Sequence, residues 1–553
     1  MAQPKHTTSQ AAGGDRSWTL VALATFLLFA WAHRTAFFDA YVINDDVRQQ
    51  LFWMQRWLDP ALYPRDLLGD YSRLYVPWGV QGVYRLAAFI ISPLAFSKLL
   101  GGLLYTAMGA LVYASGARAG GRRLGLCCVS AFWFMPFFLH SMSGGLARAF
   151  AGPLLVLFLF GWLSRSRWIV ACALALQSLF IPYIFVLCTA MAGLGWLAWR
   201  FRLSGPPPFL KHWADFLVLG CACGLLLGWH MQMGEAGFGP LPWQAEMVGR
   251  PEFSEAGRYP ILPVPSLLHE LFVRPWESLL DFRYEFDPLG FFWLALLVPF
   301  TAYNAIRAPW GVWRAHRQPA LCLAAASLIL YFAARLVLFK LFLPSRYLEY
   351  SVNVGYCFLL GTCLFGLIAR NRRPERMLAL AVTLVALFGA VRLSGEGLHD
   401  YSGDRAVCEY IKSGTPKDAL VAGHPYQMDN VLTFGGRDVF ASYELAHPWN
   451  LGYWARLKPR LESLFAAYYS DDPTVVAAFC RKNGIDYLVV DDRFFSRAYL
   501  DGKPFFAPFA DLIRERAARA GTFALLSPSI PAVRIDEHVR VVATAALPGG
   551  GGQ

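Results

Sequence analysis

Long apolar runs alternate with short polar interruptions along most of this chain. Runs at 18–38, 96–116, 124–140, 147–163, 213–230, 289–306, 319–339, 351–369 and 377–393 carry almost no charge. That is the length and pattern of helices crossing a bilayer. Residues 168–199 are apolar throughout but contain Pro182. Proline removes a helical hydrogen bond and clashes with the turn before it, so two short helices broken at Pro182 are expected. One long tilted helix is the alternative, but it puts the basic loop Arg200, Arg202 and Lys211 on the wrong side. The pattern therefore predicts an α-helical polytopic membrane protein of about 11 transmembrane helices. Residues 80–92 are apolar but short and end at Pro93, which suits a juxtamembrane or membrane-dipping helix.

After residue 393 the pattern changes. Charge density rises, and short apolar runs alternate with amphipathic stretches. A helix is expected at 403–413, capped by Asp404, and others at 453–468 and 473–484. DALVAG (418–423), DVFASY (438–443) and above all IDYLVVDD (485–492) read as short buried strands. The expected organisation is a tail at 1–17, a transmembrane domain at 18–393 with long outer loops 39–78 and 231–288, and a mixed α/β domain at 394–547. The Gly-rich end, 548–553, is expected to be disordered. Cys408 and Cys480 fall on two predicted helices of the α/β domain, either as buried free thiols or as a disulfide pair.

Composition supports the membrane reading. Only 16% of the 553 residues are charged and 56% are hydrophobic, against about 25% charged in soluble domains. The net charge of +12 does not imply nucleic acid, because the Arg residues cluster in short loops at 118–123, 165–167, 200–211, 307–317 and 370–376. Such loops face the cytoplasm. The N-terminus is then cytoplasmic, and both long loops and the C-terminal domain lie outside. Loop 231–288 holds nine acids against four Arg. Most of the eleven Cys lie in apolar runs, where thiols behave as small hydrophobes, and no Cys/His spacing suits zinc. The first apolar run lacks a small-residue cleavage site, so it reads as a retained helix.

Against this apolar background, the loop at 39–78 stands out. It carries Asn44, Asp45 and Asp46 a few residues past the first span, then Arg48, Asp59, Asp66 and Asp70. Ionisable groups at a membrane face are costly unless paired or wetted, and so mark working sites. The plainer account makes Asn44 or Asp45 the cap of a helix over 46–57. The predicted topology brings other polar groups to the same face. Arg148 opens the fourth span, His230 closes the seventh, and Lys340, Arg346, Tyr347 and Glu349 fill the short loop between the ninth and tenth. Each has a local alternative: Arg148 as a snorkelling anchor, Glu349 as a partner for Arg346 three residues away. Together they describe a wet pocket suited to an anionic headgroup, since the Arg fork matches phosphate oxygens.

Three stretches carry a resemblance: NDD at 44–46, YPRDLLGDY at 63–71 and SRYLEY at 345–350. With the span count and the outer α/β domain, the chain resembles the glycosyltransferase C superfamily (GT-C), in a bacterial branch. The resemblance implies a multi-pass enzyme of the bacterial cytoplasmic membrane. It would move a sugar from a polyprenyl-phosphate-linked donor to a glycan, lipid or protein acceptor at the extracytoplasmic face, by an inverting displacement. A WWD-type motif is absent; the nearest stretch, His447, Pro448, Trp449 and Asn450, lacks the acid. That argues against glycosylation of protein sequons. A carboxylate would deprotonate the acceptor hydroxyl, and cations would stabilise the departing phosphate. Asp45 is assigned as base, with Asp46 orienting it or binding a cation, though the two can exchange roles. Arg346, Lys340 and Arg148 are assigned to the phosphate, with Tyr347 and Glu349 beside them. Paired carboxylates suit a divalent cation, but the sequence does not require one. Two other classes compete. A transporter or flippase of a lipid-linked or anionic substrate would use mid-span charges such as Arg335, near broken helices such as that at Pro182. A non-catalytic membrane scaffold would have no need of Asp45 or Asp46.

Overall fold

The computed structural model describes residues 17–64, 67–260, 303 and 310–548. The expected span at 289–306 lies outside these residues, apart from Tyr303. Among the described residues, six helices are long and apolar enough to cross a membrane. Ser17–Ala32, Ala147–Leu163 and Arg167–Phe180 are apolar but shorter.

Helix boundaries follow backbone chemistry. The helical stretch Pro93–Phe134 is interrupted at Gly120 and Gly121, which separates the expected spans at 96–116 and 124–140. Gly121 adopts φ +82°, a left-handed conformation open to glycine. The break expected at Pro182 falls at Ile181, between Arg167–Phe180 and Pro182–Arg200. Pro182 begins the second helix, where its missing N–H costs nothing. The two helices form a hairpin. A Cβ on Gly195, late in the second, would meet the Trp162 ring at 2.5 Å. Arg167, at the start of the first, pairs with Asp215 at 3.2 Å. Peripheral helices leave apolar surface uncovered: Trp213–Glu235 buries only Asp215 and Ala222, and the first helix exposes Trp18, Leu20, Leu23, Leu27 and Trp31. Such faces suit lipid tails.

The C-terminal part folds around a mixed five-stranded sheet. In chain order its strands are β1 (Leu420–Ala422), β2 (Asp438–Val439), β3 (Tyr487–Asp491), β4 (Val533–Arg534) and β5 (Val539–Ala543), with spatial order β2-β1-β3-β5-β4. β1 pairs in parallel with both β2 and β3, while β5 runs antiparallel to β3 and β4. The helices Arg405–Gly414, Leu451–Tyr468 and Pro473–Asn483 sit where the sequence pattern puts them. Asp472 caps the last of these through Thr474 N–H at 2.8 Å, and Gly484 closes it at φ +63°. Cys408 and Cys480 are both buried and free.

One end of the helical bundle is tied to this domain. Val42–Ile43 pairs antiparallel with His399–Asp400. Tyr63 donates its hydroxyl hydrogen to the Leu432 carbonyl at 2.7 Å, and Arg405 pairs with Asp39 at 2.7 Å. The first long loop is therefore a packed layer, with helices Val47–Gln50, Leu67–Tyr75 and Trp78–Ala87, sandwiched between the bundle and the α/β domain.

Candidate functional site

Asp46 lies in that layer, immediately before the short helix Val47–Gln50, and its side chain does not cap the helix. One carboxylate oxygen accepts from Gln49 Nε2 at 2.5 Å; the other forms an ion pair with Arg148. Both side chains of the pair are about one-fifth exposed. Arg148 also donates to Asn44 Oδ1 at 2.9 Å, and Asn44 donates in turn to the Gly397 carbonyl at 2.8 Å. Asn44 is thus a brace between segments distant in sequence, and the helix-cap account does not describe it. The turn before Arg148 requires glycine: Gly144 has φ +84°, and a Cβ there would meet Asn44 at 2.9 Å. This close approach brings Arg148 onto the acidic loop.

Arg346 completes the group. It lies in the first turn of the helix Ser345–Ile368 and pairs with Glu349 at 2.9 Å. The sequence reading put Arg346, Tyr347 and Glu349 in a loop. Pro344 instead starts a helix here, because proline fits the beginning of a helix and ends what precedes it. Burial opposes ionisation of Asp46, but the charges of Arg148 and Arg346 outweigh it and hold the carboxyl below its ordinary range. Burial pushes the Tyr75 hydroxyl up to about 12, with the Asp46 charge adding to the effect.

Asp45 differs from its neighbour. It is partly exposed, and one oxygen accepts from the Asp46 N–H at 2.9 Å. Its charge acts on both Arg48 and Arg148. Two other predicted residues are placed elsewhere. Lys340 donates to the Leu241 carbonyl at 2.7 Å, with its ammonium 5.1 Å from the Trp243 ring centre. Tyr347 is buried and donates to the Leu341 carbonyl at 2.7 Å. The structure therefore gathers Asp45, Asp46, Arg148, Arg346 and Glu349, and leaves Lys340 and Tyr347 as local props. Arg335, expected in mid-span, occupies the last turn of the helix Trp310–Leu336.

A second cluster adjoins the first, and apart from Arg48 its ionic members were not singled out from sequence. Arg48, only 7% exposed, donates to Asn430 at 3.0 Å and pairs with Glu444 at 3.4 Å and Asp429 at 3.9 Å. Its guanidinium lies 4.0 Å from the Tyr401 ring centre. Arg258 approaches Glu444 from the other side at 3.3 Å and donates to the Tyr443 hydroxyl at 3.1 Å. Burial and neighbouring Asp429 push the Glu444 carboxyl up to about 8, against the pull of both Arg residues. Burial likewise raises the Asp429 carboxyl. Next to this cluster, burial and Arg258 lower the His447 imidazole to about 3, and Tyr71 shares a 2.9 Å hydrogen bond with its Nδ1. The available signal was Glu444 itself, an acid inside the apolar, aromatic stretch 438–449.

Among the described residues, no group of three or more His, Cys, Asp or Glu is arranged to hold a metal ion. Both Asp46 oxygens already accept from N–H donors, one of them a guanidinium.

No family model matches the chain, and no curated protein matches it. Solved structures do. ArnT from Cupriavidus metallidurans in the apo state aligns over 97% of this chain and 99% of its own, with TM-score 0.53 and 13% identity. The same protein bound to undecaprenyl phosphate aligns over 98% and 100%, with TM-score 0.51 and 12% identity. The Archaeoglobus fulgidus oligosaccharyltransferase in complex with zinc and sulfate aligns over 90% of this chain and 70% of its own, with TM-score 0.50 and 13% identity. These neighbours are GT-C membrane glycosyltransferases, and the fold of this chain is the GT-C fold.

Proposed function

We propose that the protein is a membrane glycosyltransferase that takes a sugar from a polyprenyl-phosphate-linked donor. The observation that carries this reading is the grouping of Asp45 and Asp46 with Arg148 and Arg346, in the layer between bundle and α/β domain. An acceptor hydroxyl attacking an anomeric carbon needs a proton acceptor, and the leaving phosphate needs cations. Asp46 suits the first task poorly, because two guanidiniums hold it ionised and its oxygens are engaged. Asp45 is the general base, its carboxylate held by the Asp46 amide. Asp46 anchors Arg148. Arg346, ion-paired with Glu349 and acting on Asp46 through its charge, receives the donor phosphate. The sugar leaves with inversion, since the acceptor attacks opposite the phosphate in a single displacement.

The Arg-rich loops at the far end of the bundle support a cytoplasmic location for that end. The site and the α/β domain then face outward from a bacterial cytoplasmic membrane, where the acceptor is a glycan, lipid or protein. The transporter reading loses its main support, because Arg335 lies at a helix end and the break at Ile181 turns a hairpin.

The test uses the purified full chain in liposomes with polyprenyl-phosphate sugars radiolabelled in the sugar. Label transferred from the lipid to a co-supplied acceptor supports the proposal. Label that changes leaflet while still attached to its lipid overturns it in favour of a flippase.

A further inference from the structure

The end of the bundle opposite the α/β domain contains a cavity of about 260 Å³, lined by Arg118, Trp162, Arg165, Pro208, Gln318 and Pro319 among others. Four segments converge on it: the chain just before the Gly120–Gly121 kink, the end of the helix Ala151–Leu163, the loop around 205–208, and the helix Trp310–Leu336. Local bonds fix its walls. Arg165 has φ +52° and donates to the Pro206 carbonyl at 3.0 Å. Gln318 Nε2 lies 3.1 Å from Ser204 Oγ and 3.3 Å from the Gly205 carbonyl. Two guanidiniums, an amide and an indole therefore meet at one concavity between transmembrane helices.

Charge at this end is unbalanced. Among the described residues its acids are Asp215 and Glu375. Asp215 is already paired with Arg167 at 3.2 Å and Glu375 with Arg123 at 2.6 Å. Arg118 and Arg165 have no acidic partner among the described residues. An ordinary topology signal needs only scattered Arg residues, whose side chains spread into the headgroup layer. Here two of them flank a formed cavity that also offers a tryptophan. Basic pockets between transmembrane helices at the cytoplasmic face suit anionic lipid headgroups.

We propose that this cavity binds the phosphodiester headgroup of an anionic phospholipid. The Arg118 and Arg165 guanidiniums take the phosphate oxygens, Gln318 hydrogen-bonds the headgroup, and Trp162 and the two prolines pack on the glycerol and upper acyl chain. The site is separate from the Asp45 region and does not depend on the transferase reading.

The full chain is reconstituted in phosphatidylcholine nanodiscs, and phosphatidylglycerol binding is titrated by native mass spectrometry. Wild type is compared with Arg118→Ala/Arg165→Ala and with Arg200→Ala/Arg202→Ala, which removes two cations of the same end from outside the cavity. The first variant should bind phosphatidylglycerol about thirtyfold more weakly, the effect of two basic residues at a lipid surface. The second should stay within about threefold of wild type. Equal losses in both variants mean a diffuse surface charge and overturn the proposal. So does an unchanged affinity in the first variant. Inorganic phosphate competing as well as the lipid at equal concentration overturns the lipid assignment. Arg118→Lys/Arg165→Lys guards against misfolding, and should retain more binding than the alanine pair. If the lysine pair binds no better than the alanine pair, the charge at these positions is not what holds the lipid, and the proposal falls.

Discussion

Two charged clusters lie side by side in the layer under the α/β domain, and they are built on opposite balances. Around Asp46, one firmly ionised carboxylate faces Arg148 and Arg346, and Asp45, partly exposed like Asp46, lies beside it. Around Glu444, two carboxylates and two Arg residues are nearly sealed from water, and burial together with neighbouring Asp429 keeps the proton on Glu444 to about 8 against the pull of both Arg residues. In the first cluster the two Arg side chains are 21% and 29% exposed, within reach of an anionic ligand. In the second they are only 7% and 13% exposed, and the cluster holds the loop against the α/β domain. Proximity to the acidic motif is therefore a poor guide to role. What separates the clusters is how far solvent reaches their charges.

The largest expected effect lies in the first cluster. Asp45→Asn keeps size and its hydrogen bond to the Asp46 amide but accepts no proton, so kcat should fall by about 10²–10⁴, with donor KM nearly unchanged. Steady-state kinetics checks this, with Asp59→Asn as a control that stays near wild type. Asp59 is paired with Lys417 at the loop's outer edge. Arg148→Ala comes next. It strands the Asp46 carboxylate, a loss of about 2–3 kcal/mol in unfolding free energy, read by denaturant titration in detergent. Arg346→Ala should leave folding intact and raise donor KM by the equivalent of about 1.5–3 kcal/mol, one charge-assisted hydrogen bond to phosphate. Equal losses from Arg335→Ala would erase the distinction drawn for Arg346.

The smallest effect belongs to the second cluster and concerns pH. The folded Glu444 carboxyl sits at about 8 against an ordinary 4.5. Below 4.5 both folded and unfolded chains hold the proton. As pH rises from there to about 8, only the unfolded chain releases it, so wild-type stability should decline across that window and level off above it. Glu444→Gln mimics the protonated acid, and its melting temperature should depend less steeply on pH between 5 and 8 while activity at pH 6 is retained. An unchanged slope would mean that Glu444 is ionised in the folded protein and that the two clusters do not differ as described.

Much of this architecture was legible in the sequence, because membrane helices reveal themselves through length and apolarity alone. Pro182 marked a break through its own backbone limits, and the cluster Arg118, Arg122 and Arg123 separated the spans at 96–116 and 124–140. The strands β1, β2 and β3 were visible as buried apolar runs. β4 and β5 were not: Val533 and Arg534 are exposed, and EHVRVVATAAL (537–547) mixes charge with apolar residues. The antiparallel pairing of 42–43 with 399–400 rests on two residues a side, too few for a pattern. Asp45, Asp46, Arg148 and Arg346 were singled out because ionisable groups stand out against the apolar spans. Arg258 and Asp429 went unnoticed because only the fold brings them together with Arg48, while Glu444 alone carried a signal, as an acid inside an apolar, aromatic stretch. Lys340, singled out for the same reason as Arg346, is bonded to the Leu241 carbonyl, a local contact that sequence spacing does not reveal.

The central claim is a single displacement, with the acceptor proton taken at Asp45 and the phosphate leaving toward Arg346. Its most direct test is the anomeric configuration of the product. A donor of one defined configuration is supplied to the purified protein, and the transferred sugar is examined by NMR through its anomeric coupling. Inversion in every product molecule is the predicted result. Retention would require a covalent sugar–enzyme intermediate or a second displacement, and would contradict the roles given to Asp45 and Asp46.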